Sequence, residues 1–237
     1  MLKRRMLEGA ARMGIAMTGA QAEQFERYHA LLLAANARMN LTRVPDDPVE
    51  AADRNYLDCI APLAGGFPAA RRAIDVGSGA GFPGIPLAIL LPDTRFTLLD
   101  ALGKRTAFLG EVIEALGLNA EAVQLRAEDA ARREDLREAF DLATARAVAP
   151  MNVLCEYLLP FLRVGGRALA LKGPSLDEEL AQAGRALELL GGRLAEAPRL
   201  VLPDRDWDHR AAWIEKVAPT PDRYPRRAGL PEKRPLI

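Results

Sequence analysis

Asp75-Val76-Gly77-Ser78-Gly79-Ala80-Gly81 joins a short apolar run at residues 73–76 to a helical pattern at residues 85–91. That is a strand, a glycine turn and a helix. Glycine tolerates positive φ and lets a ligand come close to the backbone. In open α/β sheets, ligands bind at the carboxyl ends of the strands, where such turns lie. Alone, the pattern fits a ligand-free turn as well as a cofactor loop.

The neighbours of the loop narrow the choice. Gly79-x-Gly81-x-x-Gly84 satisfies the dinucleotide-binding expression. A dinucleotide would set a pyrophosphate against this turn, where Asp75 would repel it. S-adenosylmethionine carries a sulfonium and an ammonium and no phosphate, so an acid beside the loop favours it. Asp100 closes the next strand and can accept from both ribose hydroxyls of an adenosine in either cofactor class. Ala127-Glu128-Asp129 follows the third strand, where a backbone N–H and a carboxylate can read an adenine edge. Arg146 and Lys172 follow the fourth and fifth strands, so two cations are expected on the loop side.

Working outward, strands are expected at residues 73–76, 95–99, 122–125, 141–144, 167–171, 194–202 and 211–217. Helices are expected between them at residues 85–91, 104–116, 153–162 and 176–190. Such alternation implies a parallel sheet covered on both faces. Residues 1–66 read as helices. Thr18 and Gln21 have capping-box spacing ahead of the apolar face Phe25, Tyr28, Leu32, Ala35 and Met39. Asp47-Pro48 starts another helix, with Val49, Ala52, Tyr56, Ile60 and Leu63 on its apolar face. The expected architecture is α/β: a Rossmann-like, doubly wound, mostly parallel seven-stranded sheet over residues 67–237, with an N-terminal helical extension over residues 1–66.

Composition excludes several classes. Apolar residues make up 49% and charged residues 27%, an ordinary globular mix. No apolar stretch reaches the roughly 18 residues of a membrane span. Lys3-Arg4-Arg5 is not followed by the apolar run of a signal peptide. Cys59 and Cys155 lack metal-ligand spacing and read as reduced thiols of a cytoplasmic protein. His29 and His209 have no partners at metal spacing, so no metal is expected and both read as structural or surface residues. The formal net charge is zero, so nucleic-acid binding would need positive charge gathered on one face. Residues 222–237 hold Arg223, Arg226, Arg227, Lys233 and Arg234 against Asp222 and Glu232, five cations minus two acids, a local +3.

With these residues in view, the chain resembles the RsmG (GidB) family, bacterial 16S ribosomal RNA guanine-N7 methyltransferases. The resemblance rests on Asn40-Leu41-Thr42, on the glycine loop continued by Phe82-Pro83-Gly84-Ile85-Pro86-Leu87, and on Lys104-Arg105-Thr106-Ala107-Phe108-Leu109. Ala145-Arg146-Ala147-Val148-Ala149, Leu171-Lys172-Gly173 and the tail from Thr220 to Gly229 complete it. It implies a class I methyltransferase fold, S-adenosylmethionine as methyl donor with S-adenosylhomocysteine as product, and a pocket lined by Gly77, Phe82, Ala127, Glu128 and Arg146. It also implies a guanine in the decoding-region loop of 16S ribosomal RNA, in naked RNA or a small-subunit particle, as substrate. A cytoplasmic monomer is expected. In one stretch the chain departs from the family. The family's Arg-His-x-x-Asp-Ser reads here Arg54-Asn55-Tyr56-Leu57-Asp58-Cys59, which leaves no imidazole at position 55.

The expected cofactor contacts are thus Asp75, Gly77, Gly79, Gly81, Phe82, Asp100, Ala127, Glu128 and Arg146. N7 of guanine has a lone pair and no proton, so methylation needs no obligatory general base. The expected work is orientation, with Arg146 or Lys172 donating to guanine O6. The basic tail and Lys3-Arg4-Arg5 are candidates for phosphate contacts. A methyltransferase of another nucleobase or a small molecule, and a non-catalytic RNA-binding module, share these features; the intact loop with both acids argues against the last.

Overall fold

The computed structural model describes residues 1–237, the whole chain. Helix α1 (Leu2–Arg12) is followed by α2 (Gly19–Met39). Helix α2 starts at the expected capping box, with Thr18 and Gln21 each bonding the other's backbone N–H. It ends at Asn40, whose φ of 49° is the left-handed stop that asparagine tolerates. The helix expected after Asp47 is broken in pitch. It runs as α3 (Pro48–Ala51), a π-helical turn over Ala52–Leu57, α4 (Asp58–Ile60) and a 3₁₀ turn over Ala61–Gly65. π turns of this kind are rare and concentrate at functional sites.

The sheet then forms: β1 (Arg72–Val76), α5 (Gly84–Leu90), β2 (Arg95–Asp100), α6 (Gly103–Leu116), β3 (Ala120–Gln124) and the short α7 (Ala127–Ala130). It continues with β4 (Phe140–Arg146), α8 (Met151–Leu158), β5 (Leu162–Lys172), α9 (Leu176–Leu190), β6 (Gly192–Glu196) and β7 (Arg210–Lys216). The chain closes with α10 (Leu230–Lys233). Strand order is β3-β2-β1-β4-β5-β7-β6. The first five strands are parallel, and β7 enters antiparallel between β5 and β6. The dinucleotide fold instead carries the order 3-2-1-4-5-6, so the antiparallel β7 removes the rival reading of the glycine loop.

The sixth strand is shorter than expected. It stops at Glu196, and beyond it only an isolated bridge joins Arg199 to Arg210. The apolar residues Leu200 and Leu202 are buried there without strand pairing, which is why their hydropathy resembled a strand.

Each sheet face has its own core. One unites Leu2, Met6, Phe25, Tyr28 and Leu57 from the N-terminal helices with Phe96, Leu98, Phe108 and Leu142. The helices before the sheet therefore share a core with it. The opposite face buries Ile74, Val76, Phe140, Phe161, Leu169's neighbours Ala168 and Ala170, and Ile214 under α8 and α9. The N-terminal helices are also tied by charge. Asp53, fully buried, accepts from Arg5 at 2.6 and 3.1 Å and from Arg205 at 2.7 Å. The last residues lie back across α7 and α8 as a strap: Arg132 donates to the Pro225 carbonyl, and Arg137 to those of Tyr224 and Thr220.

Candidate active site

The glycine loop takes the backbone its sequence requires. Gly77, Gly79 and Gly81 have φ of 72°, 58° and 105°. At Gly77 a Cβ would stand 2.9 Å from Val148 Cγ2, so a side chain would press on the segment just past the end of β4. Helix α2 fastens the loop from behind, where the buried Tyr28 hydroxyl donates to the Ala80 carbonyl at 2.5 Å.

Asp75 does not face a ligand. Its carboxylate is buried, accepting from Gly84 N at 3.1 Å and Thr144 Oγ1 at 2.9 Å. It therefore braces the loop against α5 and β4, which corrects the expectation that it acts on the cofactor's charge directly. Burial raises its pKa to about 6, against the pull of these hydrogen bonds. Gly84 is a packing residue as well, since a Cβ there would lie 2.4 Å from Leu98 Cδ2 and 2.7 Å from Asp75 Oδ2.

A small cavity of about 140 Å³ opens at the ends of β1, β2 and β3, with Gly77, Asp100, Ala127 and Glu128 on its wall. Asp100 accepts from Gly79 N at 2.9 Å and from Leu102 N at 2.9 Å through separate oxygens. Oδ2 also meets Arg105 Nη1 at 3.4 Å, whereas Oδ1 keeps a second lone pair open to a ribose hydroxyl. Glu128 is buried, and its Oε1 accepts from Gly229 N at 2.7 Å. The strap thus holds one oxygen of the group expected at the adenine edge, and Tyr157 and Glu232 complete that wall. The walls suit an adenosine: a diol acceptor on one side, a carboxylate and a backbone segment on the other, and glycine where the ligand must come close. Gly79, Gly81 and Phe82 do not border this cavity. Phe82 lies between Tyr28, Tyr56 and the Arg146 guanidinium, which stands 5.5 Å above its ring.

Past the segment Arg146–Val148 lies a second cavity, of about 300 Å³, lined by Asp58, Arg146, Lys172, Glu179 and His209 among others. Ala147 turns the chain here with φ of 55°, a left-handed conformation uncommon for alanine. A wider, polar cavity of about 760 Å³ adjoins it through Arg146 and His209 and includes Arg43, Glu50, Arg54 and Asn55. Arg146 and Lys172 do come together, but both are engaged. Lys172 Nζ bonds the Ala149 carbonyl at 2.8 Å and Glu179 at 2.5 Å. Arg146 donates to Cys59 Sγ and the Arg54 carbonyl, each at 2.9 Å, and lies 3.6 Å from Asp58. Burial pushes the Cys59 thiol up to about 12, so it stays protonated and donates to the Asn55 carbonyl.

Sequence reasoning gave this side of the sheet no histidine. The structure corrects that: His209, just before β7, sets Nδ1 2.7 Å from Asp58 Oδ1. The two are 151 residues apart in sequence, so no spacing rule could pair them. The tail also departs from expectation at Arg226, which is held by the buried Glu156 and is not free for phosphate.

The sheet order, the antiparallel β7 and the glycine loop beside a cavity at the strand ends define a class I methyltransferase fold. Solved structures agree on the fold. Fibrillarin of Aeropyrum pernix, with S-adenosyl-L-methionine natively bound, superposes with a TM-score of 0.51 at 18% identity over 65% of this chain and 72% of its own. A branched-chain polyamine synthase of Thermus thermophilus gives 0.55 at 17% identity, covering 84% of this chain and 64% of its own. The family model described as rRNA small subunit methyltransferase G matches residues 21–207. The protein of that name from Lactobacillus johnsonii is 45% identical over 230 residues, 95% of this chain and 96% of its own. That of Clostridium perfringens is 44% identical over 216 residues, 90% of each chain. The chain belongs to the rRNA small subunit methyltransferase G family.

Proposed function

We propose that this protein transfers the methyl group of S-adenosyl-L-methionine to N7 of a guanine in 16S ribosomal RNA. The observation that carries the reading is a pair of cavities at the Arg146–Val148 segment: Val148 lines one together with Gly77, Asp100 and Glu128, and Arg146 and Ala147 line the other, whose lining is mostly polar. Family membership supplies the substrate class. When bound, the cofactor provides an electrophilic methyl group. Asp100 would accept from its ribose, Gly77 would leave room for it, and Ala127 and Glu128 would border its adenine. Asp75, Gly79, Gly81 and Phe82 act behind the loop, keeping its shape. Arg146 fixes the π turn and Phe82 against the ends of the strands, so its role is to place the two cavities relative to each other. Lys172 performs the same service for α9 through Glu179.

No residue must remove a proton, because N7 offers a lone pair. The protein's contribution is orientation and the exclusion of water, which together can lower a barrier by roughly 7–11 kcal/mol at best. No helix is long and apolar enough to cross a membrane. In this reading a cytoplasmic monomer meets its RNA as part of a small-subunit particle, and the helices of residues 1–66 form the outer wall of the base cavity. The deciding experiment is mass mapping of modified guanines in 16S ribosomal RNA from cells lacking the protein. Loss of one N7-methylguanosine is expected, and an unchanged map would end the proposal. Calorimetry should show binding of S-adenosylmethionine and none of NAD.

A further inference from the structure

We propose that His209, fixed by Asp58, reads the Watson–Crick edge of the target guanine by accepting its N1–H at Nε2. The proposal rests on the guanine-N7 reading above and assigns the base-recognising group within it.

The geometry around His209 is directional. Asp58 is 4% exposed, and a carboxylate only accepts, so the 2.7 Å contact makes Nδ1 the donor. In the neutral ring this leaves the lone pair on Nε2, which bonds no group of the protein. His209 borders both polar cavities. Its backbone carbonyl is held by Leu200 N at 2.7 Å, and Trp207 lies 5.3 Å from its ring. A residue held by side chain, ring and backbone presents its free nitrogen in one direction. Asn55, 5% exposed, borders the larger cavity with its buried Nδ2 left without a partner. Buried polar groups without a partner are rare in folded proteins.

The chemistry favours an acceptor there over a further cation. In the transfer, the N7 lone pair forms the new N–C bond while the C–S bond breaks. Sulfur keeps that electron pair, and the positive charge passes from sulfur to the purine. N1–H becomes a stronger donor as this happens. An acceptor at N1–H therefore gains strength toward the transition state, which is what accelerates a reaction. An unpaired Arg146 or Lys172 at the same edge would oppose the new charge. Both are instead neutralised, by Asp58 and Glu179. The same nitrogen rejects adenine, whose N1 would bring a lone pair against a lone pair.

The test uses a 16S ribosomal RNA fragment with guanine or 1-methylguanine, which lacks the N1–H, at the target position. Single-turnover rate and RNA affinity are measured for the wild type, His209→Ala and His209→Gln, with calorimetry of S-adenosylmethionine as a check of folding. The wild type should slow by about 10- to 100-fold on 1-methylguanine. His209→Ala should be slow on guanine by the same factor and lose nothing further on 1-methylguanine. His209→Gln, whose amide oxygen can accept, should recover part of the rate on guanine. If His209→Ala does not bind cofactor, His209→Gln decides, and a Gln variant as slow as one without an acceptor overturns the proposal. Penalties that multiply, so that His209→Ala loses the full factor again on 1-methylguanine, overturn it too. A wild type that makes 7-methylguanosine yet ignores the N1 substitution overturns this assignment alone. A wild type that makes no 7-methylguanosine on the guanine RNA overturns the underlying reading as well.

Discussion

Arg226 gives both its side chain and its own backbone N–H to one buried carboxylate: Nη2 stands 2.6 Å from Glu156 Oε2, and the backbone N stands 2.6 Å from Oε1. Glu156 has no solvent exposure, and Arg226 is the cation paired with it. Removing one member of such a pair leaves an uncompensated buried charge, at a cost of about 3 kcal/mol. Arg226→Ala should therefore lower unfolding free energy by about that much in urea. The double change Arg226→Ala with Glu156→Gln should recover a large part of it, because the orphan charge goes too. Equal losses in the single and double variants would show that the strap is held by other contacts.

Asp75 makes stability depend on acid pH. Its pKa is raised from 3.8 to about 6 by burial, so the folded state holds this proton more tightly than the unfolded state. The contribution is present below pH 4 and is lost as pH rises to about 6; above that it is flat. The size is of order 2–3 kcal/mol. Asp75→Asn, which keeps an acceptor for Gly84 N, should remove this slope. Urea midpoints from pH 4 to 7 check it: wild type minus variant should fall with pH and then level off.

Gly77→Ala should fold less stably by about 1–2 kcal/mol, the usual penalty for a side chain in the left-handed region. Its Cβ would also press on Val148 beside the small cavity. Calorimetry should show S-adenosylmethionine bound at least about tenfold more weakly. Adding Val148→Ala should relieve the collision and restore part of the affinity, while the backbone cost remains.

Three of the exposed cations of the strap, Arg223, Arg227 and Lys233, are free to meet phosphates, whereas Arg226 is not. Replacing the three with alanine should reduce the slope of log affinity for RNA against log salt by about 2–3. S-adenosylmethionine affinity should not change. Deleting residues 222–237 should instead weaken both, because Glu232 lines the small cavity and Gly229 holds Glu128 in its wall.

Most of the fold was legible in the sequence because it was written in local signals. The capping box of α2, Gly117 closing α6, and the apolar runs of the central strands each act within a few residues. The glycine loop was legible for the same reason. What the sequence hid was whatever depended on distant partners. Asp75 and Glu128 were recognisable as important acids, but which way each carboxylate points is decided by Thr144 and Gly229. Arg146 and Lys172 stood out as strand-end cations, and only the fold shows them already paired. His209 looked like a surface residue because Asp58, its partner, sits on the far side of the chain. The π turn over Ala52–Leu57 hid behind an ordinary apolar helical pattern, since one extra residue per turn barely disturbs the periodicity.

The strap has one more consequence, and it concerns time. During synthesis the N-terminal helices and the sheet emerge before the strap, and N-terminal parts of a chain fold before the rest has been made. Gly77, Asp100 and Glu128 are all available by then, yet Glu232, which lines the cavity, and Gly229, which holds Glu128, are among the last parts to arrive. A nascent chain folded as far as β7 thus has the loop without the closed pocket. It should hold the methyl donor poorly until Glu156 has captured Arg226, which makes that capture the step at which a folded polypeptide first becomes competent to act.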